Sequence, residues 1–285
     1  MPIHSSIVGK STRRFRNEAE PRWLMAYAAA LGDADPHYFD TVASIVAHPL
    51  FAVCLEWPVV LDGRHIEGSD SLDADERGRG VHATHDLIIH RRIRGGDELF
   101  TTGTVIGVES RPPGAYQVMR LDTTDAHGNM VFTTYQGGLM RGVAVAGGVR
   151  WSETMPALPP VQDASPDTFA VDLPVSAGLA HVYTECARIW NPIHTDRKVA
   201  LAAGLPDIIL HGTATLALAV SALVRHRLGN DPLRVKRVAC RFAAMVPMPT
   251  VLSLRVTRRS PAGLWFQVLA RTGDLAIRDG FLGLA

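Results

Sequence analysis

The sequence repeats its order of motifs, and any fold assigned to it has to accommodate that repeat. Asx-Pro turns occur at Asp35 and Asn191, 156 positions apart. Helical stretches that begin with histidine start at His48 and His211, 163 positions apart. In each half a helical stretch precedes the turn, and β-rich segments follow the histidine-led helix. This order indicates a diverged internal duplication.

A segment rich in proline separates the two copies. Five prolines lie between residues 156 and 174, shortly after the Gly147-Gly148 pair. Such a density of proline and glycine is typical of a linker. We therefore predict a first half over residues 1–146, a linker over residues 147–174 and a second half over residues 175–285.

The histidine-led helix of the second half is apolar on nearly every face. The segment from His211 to Leu228 is rich in Ala and Thr, and a helix that is hydrophobic all round is buried. In the first half, we expect Pro58 to interrupt the helix that begins at His48. Strands are predicted after both helices, and residues 116–124 and 130–139 are expected to form a hairpin.

One buried helix followed by several antiparallel strands describes the hot-dog fold. Small residues on such a helix allow a sheet to wrap it closely. The repeat therefore predicts an α+β double hot dog, in which each half holds one central helix and the two sheets join edge to edge.

Composition and charge narrow the functional classes. Hydrophobic residues make up 47% and charged residues 20% of the chain, which is ordinary globular composition. The net charge of +1 gives no general attraction to nucleic acid or to membranes. The N-terminal segment lacks the apolar core of a secretory signal, and no apolar run approaches the length of about 20 residues that spans a bilayer. We expect a cytoplasmic protein with neither nucleic acid nor membrane as a partner.

The cysteines and histidines show no metal-site spacing. Cys54, Cys186 and Cys240 are widely spaced and lie in apolar segments, as free thiols of a reducing compartment do. Neither CxxC nor HExxH occurs in the chain. The spacing of the histidines between residues 82 and 90 fits alternating strand positions better than metal ligation. We therefore expect neither a metal nor another cofactor.

Around the second Asx-Pro turn the sequence resembles a known family. The motif is YTECARIWNPIH, from Tyr183 to His194, and it is followed by ILHG at residues 209–212. Both are similar to motifs of the MaoC-like, or hydratase 2, family of (R)-specific enoyl-CoA hydratases and dehydratases. Other segments resemble its two-half members, among them GDADPHYFD, AHPLF and VHATHDLIIHRRIRGGDEL. The resemblance covers nearly the whole chain and implies an acyl-CoA thioester substrate to which water is added, or from which it is removed, at the 2,3 position.

The catalytic motif of the family is only partly matched in the second half. In the family, an Asp and a His flank the reacting water. Asn191, Pro192 and His194 match the motif residue for residue. Ile189 stands where the family has its Asp, and Arg188 stands where the family has Gly.

The first half carries the complementary remnant of the motif. Gly32 and Asp33 match the Gly-Asp pair, but Tyr38 occupies the position of the His. Neither half therefore holds a complete pair. We expect the first-half pocket to be filled, or reshaped to take the acyl tail.

Three residues of the second half are predicted to carry the chemistry. His194 is assigned as the acid/base, because histidine exchanges protons near neutral pH; a turn histidine that binds backbone groups is the alternative. Gly212 begins a buried helix, where a free N–H stabilises the negative charge of an enolate oxygen; helix–sheet packing is the alternative. Asn191 either holds the water or fixes the turn.

Other residues are predicted to line the substrate site. They are Ile189, His211 and Asp33. A recruited carboxylate is one way to replace the missing Asp, with Glu185 and Asp33 as candidates. We favour a second way, in which His194 carries out both proton transfers through one water.

Two other functions remain open at this stage. A hot-dog thioesterase shares the scaffold, but no motif places a carboxylate against the thioester carbon. A non-catalytic acyl-CoA-binding protein would explain why each half lacks one catalytic partner. A homodimer is left open as the assembly.

Overall fold

The computed structural model of the chain describes residues 2–69, 72, 73, 76 and 78–285. The first half contains the helices α1 (Pro21–Ala30), α2 (Pro36–Phe39) and α3 (Ala52–Asp62). Its strands are β1 (Ile3–His4), β2 (Phe15–Glu18), β3 (Gly80–Ile89), β4 (Glu98–Arg111), β5 (Gly114–Asp125), β6 (Met130–Arg141), β7 (Val145–Ala146) and β8 (Arg150–Trp151). The predicted hairpin is confirmed as β5 and β6.

The second half repeats this order with three helices and a further set of strands. The helices are α4 (Leu179–Ala187), α5 (Arg197–Ala202) and α6 (Gly212–Arg227). The strands are β9 (Ser165–Pro166), β10 (Ala170–Val175), β11 (Val235–Phe242), β12 (Thr250–Ser260), β13 (Gly263–Leu269) and β14 (Leu275–Leu284). Strands β8 and β9, and all of β10 except Val175, lie in the segment predicted as a linker, and β10 pairs with β12 at one end of the sheet.

The two halves share one continuous antiparallel sheet. Its main path runs β10-β12-β13-β14-β11-β3-β6-β5-β4-β2. The halves meet where β11 pairs with β3, in a register that runs from Arg237 opposite Ile88 to Arg241 opposite Thr84. The expectation of two hot-dog sheets joined edge to edge is confirmed, and the molecule is a double hot dog.

Helix α6 is the buried helix that the sequence predicted. Small and aliphatic side chains occupy its buried positions, including Ala214, Ala217 and Leu223, which are fully buried. Its last turn carries Arg225 and His226, which are exposed and suit the negative end of the helix dipole. The polar groups near its N-terminus therefore belong to an otherwise mostly apolar helix.

Helix α3 corrects two expectations from the sequence. It begins at Ala52 and not at His48, which lies in the turn before the helix. Pro58 lies inside the helix, which continues to Asp62, so the predicted interruption is wrong. Proline removes one backbone hydrogen bond and strains the preceding turn. The fully buried Leu55 and Val59 flank it on the core side, and their packing outweighs the local preference of proline.

Helices α1 and α4 pack against each other as the two equivalents of the duplication. Tyr27 of α1 and Tyr183 of α4 are 156 positions apart and both fully buried. Trp23 Nε1 donates a hydrogen bond of 3.0 Å to the carbonyl of Cys186. Across the part of the chain that the structure describes, no helix is long and apolar enough to cross a membrane.

Candidate active site

The second Asx-Pro turn presents the predicted catalytic histidine. Asn191 caps a short 3-10 turn, Pro192–His194, and its side-chain oxygen accepts a hydrogen bond of 3.5 Å from the N–H of Ile193. Asp196 caps α5 by accepting from the N–H groups of Lys198 and Val199. The side chain of Asn191 is therefore used within the turn. This turn fixes the backbone of His194.

His194 is held in one tautomer. Its Nδ1 lies 2.8 Å from the carbonyl oxygen of Ile209. Because a carbonyl only accepts, Nδ1 carries the hydrogen and Nε2 keeps a free lone pair. Burial lowers the pKa of His194 to about 4, although the hydrogen bond to Ile209 opposes the shift. At neutral pH, His194 is therefore a neutral base with one nitrogen available.

His211 stacks directly on His194. The ring centroids are 3.7 Å apart and the rings are inclined by 26°. A hydrogen bond of 3.2 Å joins His211 Nε2 to Thr184 Oγ1. Burial and the neighbouring His194 lower the pKa of His211 to about 2. The second ring stays neutral, so any charge that His194 acquires remains on His194.

Gly212 follows His211 and opens α6. The first N–H groups of a helix have no acceptor within that helix, and they face whatever lies at its N-terminus. A Cβ added at Gly212 would lie 3.0 Å from the Phe242 ring. The glycine therefore satisfies a packing requirement at the start of α6.

Ile189, which the resemblance predicts to stand at the position of a catalytic carboxylate, is buried, with 5% of its surface exposed. The preceding Arg188 adopts a left-handed backbone with φ 58°, and Gly32 does the same in the first half with φ 64°. Such a conformation is unfavourable for arginine. Its guanidinium lies 4.0 Å from the centroid of the Trp23 ring and pairs with Glu20 at 3.1 Å, and these contacts between the halves offset the strain.

Neither carboxylate proposed as a replacement acid interacts with His194 within the described parts of the chain. Glu185 is exposed and accepts a hydrogen bond of 3.4 Å from Trp190 Nε1. Asp33 is buried in the first half, where it accepts from the N–H of Asp35 at 3.3 Å and lies 3.9 Å from Arg225 Nη2. The structure gives both carboxylates other partners.

The corresponding place in the first half is built differently. Tyr38, fully buried, takes the position of His194, and its ring centroid is 5.7 Å from that of His48. His48 Nδ1 accepts from the N–H of Leu50, so Nε2 carries the hydrogen and donates to Ser221 Oγ at 3.1 Å. Pro49 follows His48 and has no N–H. Both ring nitrogens of His48 therefore have partners, and Pro49 offers no N–H at the position that corresponds to Gly212.

A cleft of about 520 Å³ lies near this first-half end. The end of α1, strand β10 and the second half of α6 form its walls, with Gly32, Ser221 and Arg225 among the lining residues. His194, His211 and Gly212 do not line it. Ser221 is roughly 14 Å further along α6 than Gly212, given the rise of a helix.

The structure also places three hydroxyl groups in a row that our sequence reasoning had not assigned to the site. Tyr27 and Tyr183 join their hydroxyls at 3.3 Å, and Tyr183 donates to Thr213 Oγ1 at 3.2 Å. The shared offset of the two tyrosines and the Asx-Pro turns was the signal that could have paired them. No sequence pattern distinguished Thr213 from the other threonines of α6.

Among the residues that the structure describes, no group of three or more His, Cys, Asp or Glu side chains is arranged to hold an ion. His82 and His85 are close, with ring centroids 5.4 Å apart, and His82 packs against Phe242. Burial lowers the pKa of His82 to about 4 and that of His85 well below its usual value, so both are neutral core residues.

Protein-family models match both halves of the chain. The MaoC like domain matches residues 165–277, and the FAS1-like dehydratase domain region matches residues 6–134. The chain therefore contains a FAS1-like dehydratase region in its first half and a MaoC-like dehydratase domain in its second.

Curated relatives include proteins named for the corresponding reactions. The chain is 24% identical over 259 residues to the probable enoyl-CoA hydratase 2 of Dictyostelium discoideum, covering 89% of this chain and 87% of the relative. It is 28% identical over 198 residues to 3-hydroxyacyl-thioester dehydratase Y of Mycobacterium tuberculosis, covering 68% of this chain and 67% of the relative.

Solved structures support the fold. A MaoC-like dehydratase from Phytophthora capsici superposes with a TM-score of 0.83 at 21% identity, over 97% of this chain and 96% of that one. A Mycobacterium tuberculosis protein described as having a double hot-dog fold superposes with a TM-score of 0.65 at 16% identity, over 96% of each chain.

Proposed function

We propose that the protein adds water to, or removes it from, the 2,3 position of an acyl-CoA thioester at its second-half site. The observation that carries this proposal is the fixed tautomer of His194, which leaves Nε2 free close to the N-terminus of α6. Similarity to the MaoC like domain supplies the class of reaction. The side chain of His194 supplies a base, and the backbone N–H of Gly212 supplies a donor nearby.

In the hydration direction, His194 Nε2 removes one proton from water while the water oxygen bonds to C3 of the enoyl group. The electrons of the double bond move towards the thioester, whose carbonyl oxygen becomes negatively charged. The N–H of Gly212, supported by the dipole of α6, stabilises that oxygen. His194 then returns its proton to C2, the enolate collapses and the neutral histidine is restored.

His194 performs both proton transfers in this proposal. Ile189 places an apolar side chain where the family has its carboxylate. Glu185 and Asp33 are engaged elsewhere. A neutral histidine that first accepts and then donates the same proton closes the cycle without a second acid.

The first half, residues 1–146, carries a degenerate site in this proposal, and residues 175–285 carry the working one. Asn191 holds the turn of His194, and the stacked His211 and the apolar Ile189 line the substrate site. Asp33 belongs to the first-half end, beside the cleft that would take the distal part of an acyl chain. The reaction uses no cofactor. We place the protein in the cytoplasm, in keeping with its free thiols, Cys54, Cys186 and Cys240, and we propose a homodimer as its assembly.

The decisive experiment is a panel of enoyl-CoA and 3-hydroxyacyl-CoA substrates incubated with the purified protein. Loss or gain of the enoyl absorbance of crotonyl-CoA follows the reaction, and a mass change of one water identifies the products across the panel. Release of free thiol would instead identify a thioesterase. If none of the substrates gains or loses water, the proposal is wrong.

A non-catalytic acyl-CoA-binding protein is the second candidate. It is favoured by one observation, the replacement of a different catalytic partner in each half, at Tyr38 and at Ile189. Binding of the same thioesters in a calorimeter, without any change in their mass, would establish it.

A further inference from the structure

The first turn of α6 offers a hydroxyl group beside the Gly212 N–H. Thr213, the second residue of the helix, is half-buried. Its Oγ1 accepts a hydrogen bond of 3.2 Å from the hydroxyl of Tyr183. Tyr183 is itself fully buried and lies 3.3 Å from the hydroxyl of Tyr27. An accepting role towards Tyr183 leaves the Thr213 hydrogen for another acceptor.

Within the described residues, no acceptor for the Thr213 hydroxyl hydrogen is found. Thr215, two residues further on, differs because its hydroxyl donates to the carbonyl of His211 at 3.2 Å. Of these two threonines, only Thr213 keeps a donor available for a bound molecule.

We propose that the Thr213 hydroxyl is a second hydrogen-bond donor to the thioester carbonyl oxygen, next to the N–H of Gly212. Tyr183 acts as a positioning residue, because its hydrogen occupies one lone pair of Thr213 Oγ1 and turns the threonine hydrogen away from α4. This inference rests on the proposed function, since it adds a residue to the same site.

The tyrosine pair keeps this arrangement rigid. Burial raises the pKa of Tyr27 and of Tyr183 above the usual value, so both hydroxyls keep their hydrogens at neutral pH. Charge that develops on the thioester oxygen then meets a neutral donor oriented in advance. Donors fixed before the reaction need no reorganisation when the charge appears. A second donor also adds stabilisation of the thioester oxygen at a site that has Ile189 where the resemblance predicts a carboxylate.

The test compares Thr213→Val and Thr213→Ser with Thr215→Val as the matched control on the same helix. Removing one such donor typically lowers the rate about 10²-fold, and we expect that loss in kcat/KM for Thr213→Val. Thr213→Ser should restore most of the activity, because it keeps the hydroxyl. Thr215→Val should stay near the wild type. Melting temperatures establish that each variant is folded.

A spectroscopic measurement reports the same hydrogen bond without turnover. The absorbance of bound 2,4-hexadienoyl-CoA should shift to longer wavelength in the wild type, because donors to the carbonyl polarise the conjugated thioester. The shift should be smaller in Thr213→Val. Tyr183→Phe should reduce kcat/KM less than Thr213→Val does, and the double variant should match Thr213→Val alone.

The outcomes separate the two proposals. A wild-type kcat/KM and an undiminished spectral shift in folded Thr213→Val would overturn the role of Thr213 and leave the proposed function intact. Additive losses in the double variant would overturn the positioning role of Tyr183. A wild-type protein that neither turns over nor polarises the thioester would overturn the proposed function and this inference together.

Discussion

The chain segments that lead into α3 and α6 are equivalent in the duplication, but they carry different chemical groups. At α6, His211 is followed by Gly212, and His194 stacks on His211 with a free nitrogen. In the turn before α3, His48 is followed by Pro49, and both ring nitrogens of His48 have partners. We predict that the α6 end provides a base and a backbone donor, whereas the α3 end connects the central helices through His48 and Ser221.

The difference shows how a duplicated fold divides its tasks. His48 donates to Ser221 on α6, so this part of the first half supports the central helix of the second. By the 156-residue offset, Asp33 of the first half corresponds to Ile189 of the second. Each copy has kept the residues that its present contacts use, and four measurements would test this division.

The largest expected effect separates His194 from its counterpart Tyr38. His194→Ala should lower kcat/KM for crotonyl-CoA at least about 10²-fold, because it removes the acid/base. Tyr38→Phe should leave kcat/KM close to the wild type, because its hydroxyl lies at the end without a free base. Steady-state kinetics on both variants measures the contrast. Full activity in His194→Ala would show that the catalytic assignment is wrong.

A smaller effect is expected at the glycine of α6. Gly212→Ala should reduce kcat/KM by about 10-fold, because a methyl group there presses on the Phe242 ring and displaces the first turn of the helix. Pro49→Ala at the other end should change kcat/KM little.

Phe242→Leu distinguishes the two reasons for a glycine at position 212. If the methyl group acts only by crowding Phe242, adding Phe242→Leu to Gly212→Ala should recover activity. If it blocks the approach of the thioester, the double variant should stay impaired.

A carboxylate introduced at position 189 should give the second half the side chain that the first half has at the equivalent position, Asp33. Ile189→Asp should raise the hydration rate of crotonyl-CoA several-fold, within the range of one acid–base group. It should also raise the pKa of His194 from about 4, because a nearby carboxylate favours imidazolium. Since hydration needs neutral His194, the acidic limb of the kcat/KM profile should move to higher pH. An unmoved limb would mean that position 189 does not face His194.

The smallest effect concerns the interior of α3. By the 163-residue offset, buried Glu56 corresponds to Ala219 of α6, and burial raises the pKa of Glu56 to about 8 from 4.5. The folded chain therefore holds a proton that the unfolded chain releases, and stability is lost as the pH rises from 4.5 to 8.

Glu56→Gln removes this dependence. We expect its melting temperature to exceed that of the wild type by several degrees at pH 8 and to be closer to it at pH 5. Ala219→Ser, at the matching position of α6, should show no such pH dependence. Equal shifts at both pH values would contradict the assigned protonation of Glu56.

Much of this architecture could be predicted from the sequence because it depends on local patterns. The apolar faces of the segment that became α6, the alternating strands and the two Asx-Pro turns are set by neighbouring residues, and they led to the double hot dog. His194 and Gly212 were found through their motif. Pro58 shows the limit, since its helix persists because of buried neighbours.

The chemistry of the site depended on contacts between segments far apart in the chain. The carbonyl of Ile209 sets the tautomer of His194, and Tyr183 orients the hydroxyl of Thr213. Ser221 accepts a hydrogen bond from His48. Each contact joins residues whose separation is fixed by packing rather than by local preference. A sequence pattern reports which side chain faces the core, but hydrogen-bond direction and protonation follow from which partner the folded chain brings within 3 Å or so.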